Sequence, residues 1–109
     1  VELLPNNVIN IFDFKTNKKL ETYSPWGKRM LYPLSHIFDC NFNVYQLQLS
    51  LYSYLLEEKG FWTQKMEIFY VNPKTRELEV HPIKNMRSEI IKLIEHWKNP
   101  RSLSSILGL

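Results

Sequence analysis

The sequence predicts a mixed α/β domain of the α+β type, a mixed sheet flanked by helices, and three observations carry that prediction. Two β-rich stretches, Val1–Leu4 and Val8–Lys15, stand either side of the turn formers Pro5-Asn6-Asn7. A long helical segment follows, and Gly60 ends it. Two more alternating stretches around Asn72-Pro73-Lys74-Thr75 then precede an amphipathic segment. With 109 residues, 44% of them hydrophobic and 14% aromatic, the chain can bury one core.

Each element has its own reason. In the second strand Val8, Asn10, Phe12 and Phe14 point to one side, and Ile9, Ile11, Asp13 and Lys15 to the other. Both sides are largely apolar, which predicts a strand covered on both faces. From Thr16 to Phe42 the pattern dissolves into a long connection interrupted by Ser24-Pro25-Trp26-Gly27 and Tyr32-Pro33. The spacing predicts a helix over Asn43–Lys59. Its polar stripe of Gln46, Ser50, Ser53 and Glu57 lies opposite Val44, Leu47, Leu51, Tyr54 and Leu55. Strands are expected at Lys65–Val71 and Glu77–Ile83, then a helix presenting Met86, Ile90, Leu93, Ile94 and Trp97 on one face. The domain is expected to span residues 1–99, with 100–109 as a loosely held tail.

Charge and composition narrow the function classes. Between Asp13 and Arg29 lie Lys15, Lys18, Lys19, Lys28 and Arg29 against only Asp13 and Glu21, so this segment holds the whole net charge of +3. Such a field attracts phosphate, which makes Lys18, Lys19, Lys28 and Arg29 candidate DNA contacts. Trp26 beside them is able to stack on a base, although a loop tryptophan more often pins its connection to the core. A single cysteine, Cys40, excludes an internal disulfide framework and suits a reducing compartment. The longest apolar stretch, Val44–Leu56, is broken by Gln46, Gln48 and serines, so no membrane span is expected. His36, His81 and His96 show no metal-ligand spacing and read as structural. Neither a nucleophile elbow nor a glycine-rich phosphate loop is present.

The chemistry concentrates on Asp13 and Lys15. Ile9 and Ile11 precede them on one face, and that face then turns charged at the strand's end. A carboxylate and an ammonium beside a core need partners or a metal. A hard divalent cation would satisfy Asp13, while Lys15 could orient water or offset charge on a phosphate. On the helix, Gln48 falls inside the apolar arc with Tyr52 one turn on. This predicts a polar pair aimed inward at the strand, with Gln46 facing solvent.

Ile11-Phe12-Asp13-Phe14-Lys15-Thr16, followed by Tyr45-x-x-Gln48-Leu49-x-Leu51-Tyr52, resembles the paired motifs of RecB-type nucleases of the PD-(D/E)XK superfamily. Phe38-Asp39-Cys40-Asn41-Phe42-Asn43 ahead of the helix is similar to phage-encoded members. The resemblance covers Val1 to Trp97. It implies a restriction-endonuclease-like core and a magnesium- or manganese-dependent deoxyribonuclease. An exonuclease of recombination, repair or phage DNA metabolism is the form it favours, in the cytoplasm of a bacterial or phage-infected cell. Asp13 would ligate the metal with the carbonyl of Phe14, Lys15 would be the catalytic lysine, and Gln48 and Tyr52 would support the site. DNA is the implied partner, with a homo-oligomer or a helicase or recombination partner compatible with it.

The family also uses an aspartate on the preceding strand and often a glutamate or histidine in an earlier helix, and neither has a match here. If Leu4 faces Val8, the residue opposite Asp13 falls two places before Val1, and Glu2 faces Asn10, about 10 Å away along the strand. The expectation is therefore an N-terminally incomplete nuclease domain with half a metal site. Two alternatives stand beside it. One is a catalytically silent nucleic-acid-binding or assembly module of the same fold, and the other is an unrelated α/β domain.

Overall fold

A computed structural model describes residues 1–16, 19–24 and 26–97. Four strands form one mixed sheet in the order β1 (Glu2–Leu4), β2 (Val8–Lys15), β3 (Trp62–Val71), β4 (Leu78–Pro82). β1 and β2 are antiparallel, β2 and β3 parallel, β3 and β4 antiparallel. Two parallel neighbours require a crossover, and the connection with helix α1 (Asn41–Glu58) supplies it. Helix α2 (Arg87–Trp97) follows β4 and packs against α1. The fold is α+β, as expected.

The first turn is tight because Asn6 and Asn7 both take positive φ, 64° and 60°, a conformation asparagine tolerates better than most residues. It sets the register Leu4↔Val8, Leu3↔Ile9, Glu2↔Asn10. This is the pairing the sequence implied, and Asn10 Nδ2 donates to Glu2 Oε1 across it at 2.7 Å.

The core lies between the sheet and α1. Ile9 and Ile11 of β2, Met66, Ile68 and Tyr70 of β3, and Leu49 of α1 are all buried there. A second cluster of Leu34, Ile37 and Met86 joins the long connection to the start of α2. The molecule is only 19 Å thick, room for one sheet layer and one helix layer. Among the described residues no helix layer lies on the other face of the sheet, yet Asn10 is buried there, Val8 and Phe12 are half-buried and only Phe14 is exposed, so the expected cover of β2 on both faces is met in part. Phe14 is 67% exposed and Trp62 70%, with Leu78 and Val80 also exposed. On this face Phe12 stacks on Phe69 at 5.0 Å and Phe14 tilts against the same ring, so the aromatics shield one another.

Helix α1 begins two residues earlier than the spacing suggested and sits in the opposite rotation. Its polar stripe faces inward. Ser50 and Ser53 are each 1% exposed, whereas Gln48, Tyr52 and Leu55 are exposed. The physical reason lies in what the stripe meets. Ser50 Oγ accepts from Met86 N–H at 2.9 Å, and Gln46 Oε1 accepts from Lys84 N–H at 3.0 Å. Ser53 Oγ and Thr63 Oγ1 share a hydrogen bond at 2.7 Å, and Glu57 pairs with Arg87. Small hydroxyl side chains let the helix approach the 84–86 connection closely and satisfy backbone donors that would otherwise be buried without partners. The inward placement of Gln48 and the outward placement of Gln46 are both corrected by this packing.

Candidate functional site

Asp13 and Lys15 lie on the same face of β2, at its C-terminal end, on the side covered by α1. Lys15 Nζ is 2.9 Å from Asp13 Oδ2. The ammonium also lies over the Tyr45 ring at 4.3 Å, so the first turns of α1 hold the lysine against the strand. A side chain clamped between a carboxylate and an aromatic face loses little further freedom on meeting a phosphate. Both charged groups remain partly exposed, at 20% and 32% of their side chains.

The sheet register extends this pair sideways. Asp13 pairs with Ile68, and Ile68 pairs with His81. Lys15 pairs with Tyr70, and Tyr70 pairs with Glu79. Paired residues on neighbouring strands point to the same face, so Asp13, Lys15, Tyr70, Glu79 and His81 share the α1 side. His81 Nε2 is 3.0 Å from Glu79 Oε1, and Asn72 Nδ2 donates to Glu79 Oε2 at 3.1 Å. These two hydrogen bonds, Asn72 first and His81 next, hold the Glu79 carboxyl below its ordinary pKa. His81 also meets the rings of Phe42 and Tyr70. The sequence reading passed over His81 and Glu79 as a site because their proximity to Asp13 exists only through the β3–β4 register. The parity of the hairpin, two residues apart on one face, was the available signal.

The other residues expected at the site divide. Gln48 and Tyr52 follow Tyr45 on the same side of α1, one and two turns on, and are exposed rather than aimed into the core. Lys18 lies outside the described residues. Lys19 is exposed, and its carbonyl accepts from Asn41 Nδ2 at 2.9 Å, while Asn41 Oδ1 accepts from Glu21 N–H. The first residue of α1 thus ties down the strap that carries Lys19. Lys28 pairs with Asp39 at 3.3 Å, and Arg29 lies over Phe38 and donates to the His36 carbonyl. The last two line a different groove with Met30, Leu34 and Leu93, so the sequence's basic run is not one patch in space. Trp26 is 93% exposed and pins nothing to the core, contrary to the commoner role for a loop tryptophan.

The donors among the described residues do not form a magnesium cage. Among the described residues no three of His, Cys, Asp and Glu come together as a metal-holding group. Asp13 has Lys15 on one oxygen, and the acidic residue of β1, Glu2, is engaged by Asn10 three positions back along β2. At ~3.3 Å per residue that is roughly 10 Å, beyond any shared cation. No helix among the described residues is long and apolar enough to cross a membrane. Compared with known proteins, the chain matches no family model, no curated protein and no solved structure.

Proposed function

We propose that the chain carries the Asp-x-Lys half of a magnesium- or manganese-dependent DNA nuclease site, of the restriction-endonuclease-like kind that its motifs resemble. The single observation that supports this reading most is the co-facing Asp13–Lys15 pair, placed at the open C-terminal end of β2 with Tyr45 holding the ammonium. In this reading Lys15 would meet the negative charge of a bound phosphodiester, Asp13 positions the lysine, and a cation held by Asp13 together with a second carboxylate would polarise the phosphate. The exposed Gln48 and Tyr52, beside Tyr45, flank the approach of the strand, and Lys19 contributes a phosphate contact.

Cleavage requires a second carboxylate opposite Asp13, because one carboxylate leaves magnesium mostly hydrated. An N-terminal extension that continues β1 in its present register and sets an aspartate opposite Asp13 supplies it. The test is magnesium-dependent degradation of linear DNA by three proteins: the 109-residue chain, the extended chain, and the extended chain with Asp13→Ala. We expect degradation by the second alone. Loss of at least a hundredfold in the Asp13→Ala protein is the order typical for a group that stabilises developing charge. An extended chain that folds, binds DNA and does not cut it would support the binding or assembly module instead.

A further inference from the structure

A groove of about 400 Å³ opens beyond Tyr70, on the same face of the sheet as Asp13 and Lys15. Lys19 and Thr22 from the strap, Lys74 from the β3–β4 turn, and His81 from β4 line it, with Tyr70, Asn72 and Glu79 between them. We propose that this groove is a phosphate subsite that seats the phosphodiester adjacent to the one at Lys15 on the same DNA strand. The proposal rests on the DNA-cutting reading for the role of Lys15, but not for the chemistry of the groove.

Three features of the groove carry it. Two lysines from segments far apart in sequence line the groove with a threonine, donors that suit phosphate oxygens. The one carboxylate present has both oxygens occupied, by His81 and by Asn72, so it holds the imidazole in place and leaves the lysines to the ligand. The strap is fixed: Asn41 ties down Lys19 and Glu21, Phe42 N–H donates to the Glu21 carbonyl, and Leu20 packs on the main core. The backbone that carries Lys19 therefore keeps its place without a ligand, and binding there orders the side chain but not the strap. On the opposite wall, Asn72 Oδ1 accepts from the Lys74 N–H at 2.9 Å, which shapes the turn bearing the second lysine.

The placement fits a continuous strand. Lys15, Tyr70 and Glu79 are successive partners across β2, β3 and β4. At ~4.8 Å per strand the far wall is about 10 Å from Lys15, with Tyr70 between. A single strand lying across the ends of these strands passes from one positive position to the next.

The experiment is a nuclear magnetic resonance titration of the 109-residue chain with a short oligothymidylate and, separately, with inorganic phosphate. Magnesium is absent, so no cutting intervenes. The oligothymidylate should shift the amides of Lys19, Thr22, Asn72 and Lys74 and the His81 ring, and should bind much more tightly than phosphate. The exposed pair Lys19→Ala with Lys74→Ala should weaken oligothymidylate binding roughly tenfold and reduce the salt slope by about 0.7, the share of one single-strand phosphate. Unchanged binding by the double variant, or groove shifts with phosphate but none with oligothymidylate, would overturn the subsite. If the groove titrates as described while the extended chain fails to cut DNA, the nuclease reading falls and the subsite stands.

Discussion

Asn10 shows how a single residue ties the pairing of strands to the position of the site. It is 94% buried, its Nδ2 donates to Glu2, and its Oδ1 has no hydrogen-bond partner among the described residues. An unsatisfied buried acceptor costs about 1–3 kcal/mol, whereas the Glu2 carboxylate it binds is on an exposed residue that water can serve instead. Asn10→Val should therefore raise the urea midpoint, by an amount worth about 1 kcal/mol, and an unchanged or lower midpoint would show that the Glu2 bond outweighs the orphaned oxygen. At the same scale, Asp13 and Lys15 were legible as a pair because a period of two needs only the strand to be right. His81 was not, because its place beside them depends on two ladders and a turn far along the chain.

The clearest lesson at the scale of an element comes from α1. Its length, its place in the chain and its end near Gly60 followed from local signals, and Gly60 takes the positive φ of 92° that ends helices. Its rotation did not follow, because a helical wheel counts Ser50 and Ser53 as polar and turns them outward. The residues they satisfy, Met86 and Thr63, are remote in sequence, so no local pattern announces them. The rotation makes a sharp contrast. Ser50→Ala leaves the Met86 N–H buried without an acceptor and should cost about 1–3 kcal/mol of stability. Gln48→Ala, on the exposed side, should change it by less than about 0.5 kcal/mol. Denaturant unfolding of the two variants decides the orientation, and the reverse order would restore the outward stripe. The β1–β2 register, by contrast, was readable in full, since a three-residue turn fixes it.

At the scale of the whole fold, among the described residues, the sheet has one face under α1 and another on which Phe12, Phe14 and Phe69 pack together, and Asp13, Lys15, Glu79 and His81 lie toward one end of the covered face. The α+β class and the strand sequence were readable because strands and helices differ in period. The number of layers was not, since Phe12 and Phe14 look the same in sequence whether an element covers them or they cover each other. The basic segment likewise read as one patch, but the structure sends Lys19 toward the Tyr70 groove and engages Lys28 and Arg29 with residues 36–39. What remains at the end of β2 is a carboxylate held by a lysine, with the nearest acidic partner on β1 three residues out of register.

Magnesium affinity tests the proposed half-site most directly. Calorimetric titration of the 109-residue chain with magnesium should show no saturable binding. The chain extended to place an aspartate opposite Asp13 should bind one ion, and Asp13→Ala in that background should abolish it. Saturable binding by the unextended chain, at the affinity of the extended one, would contradict the account.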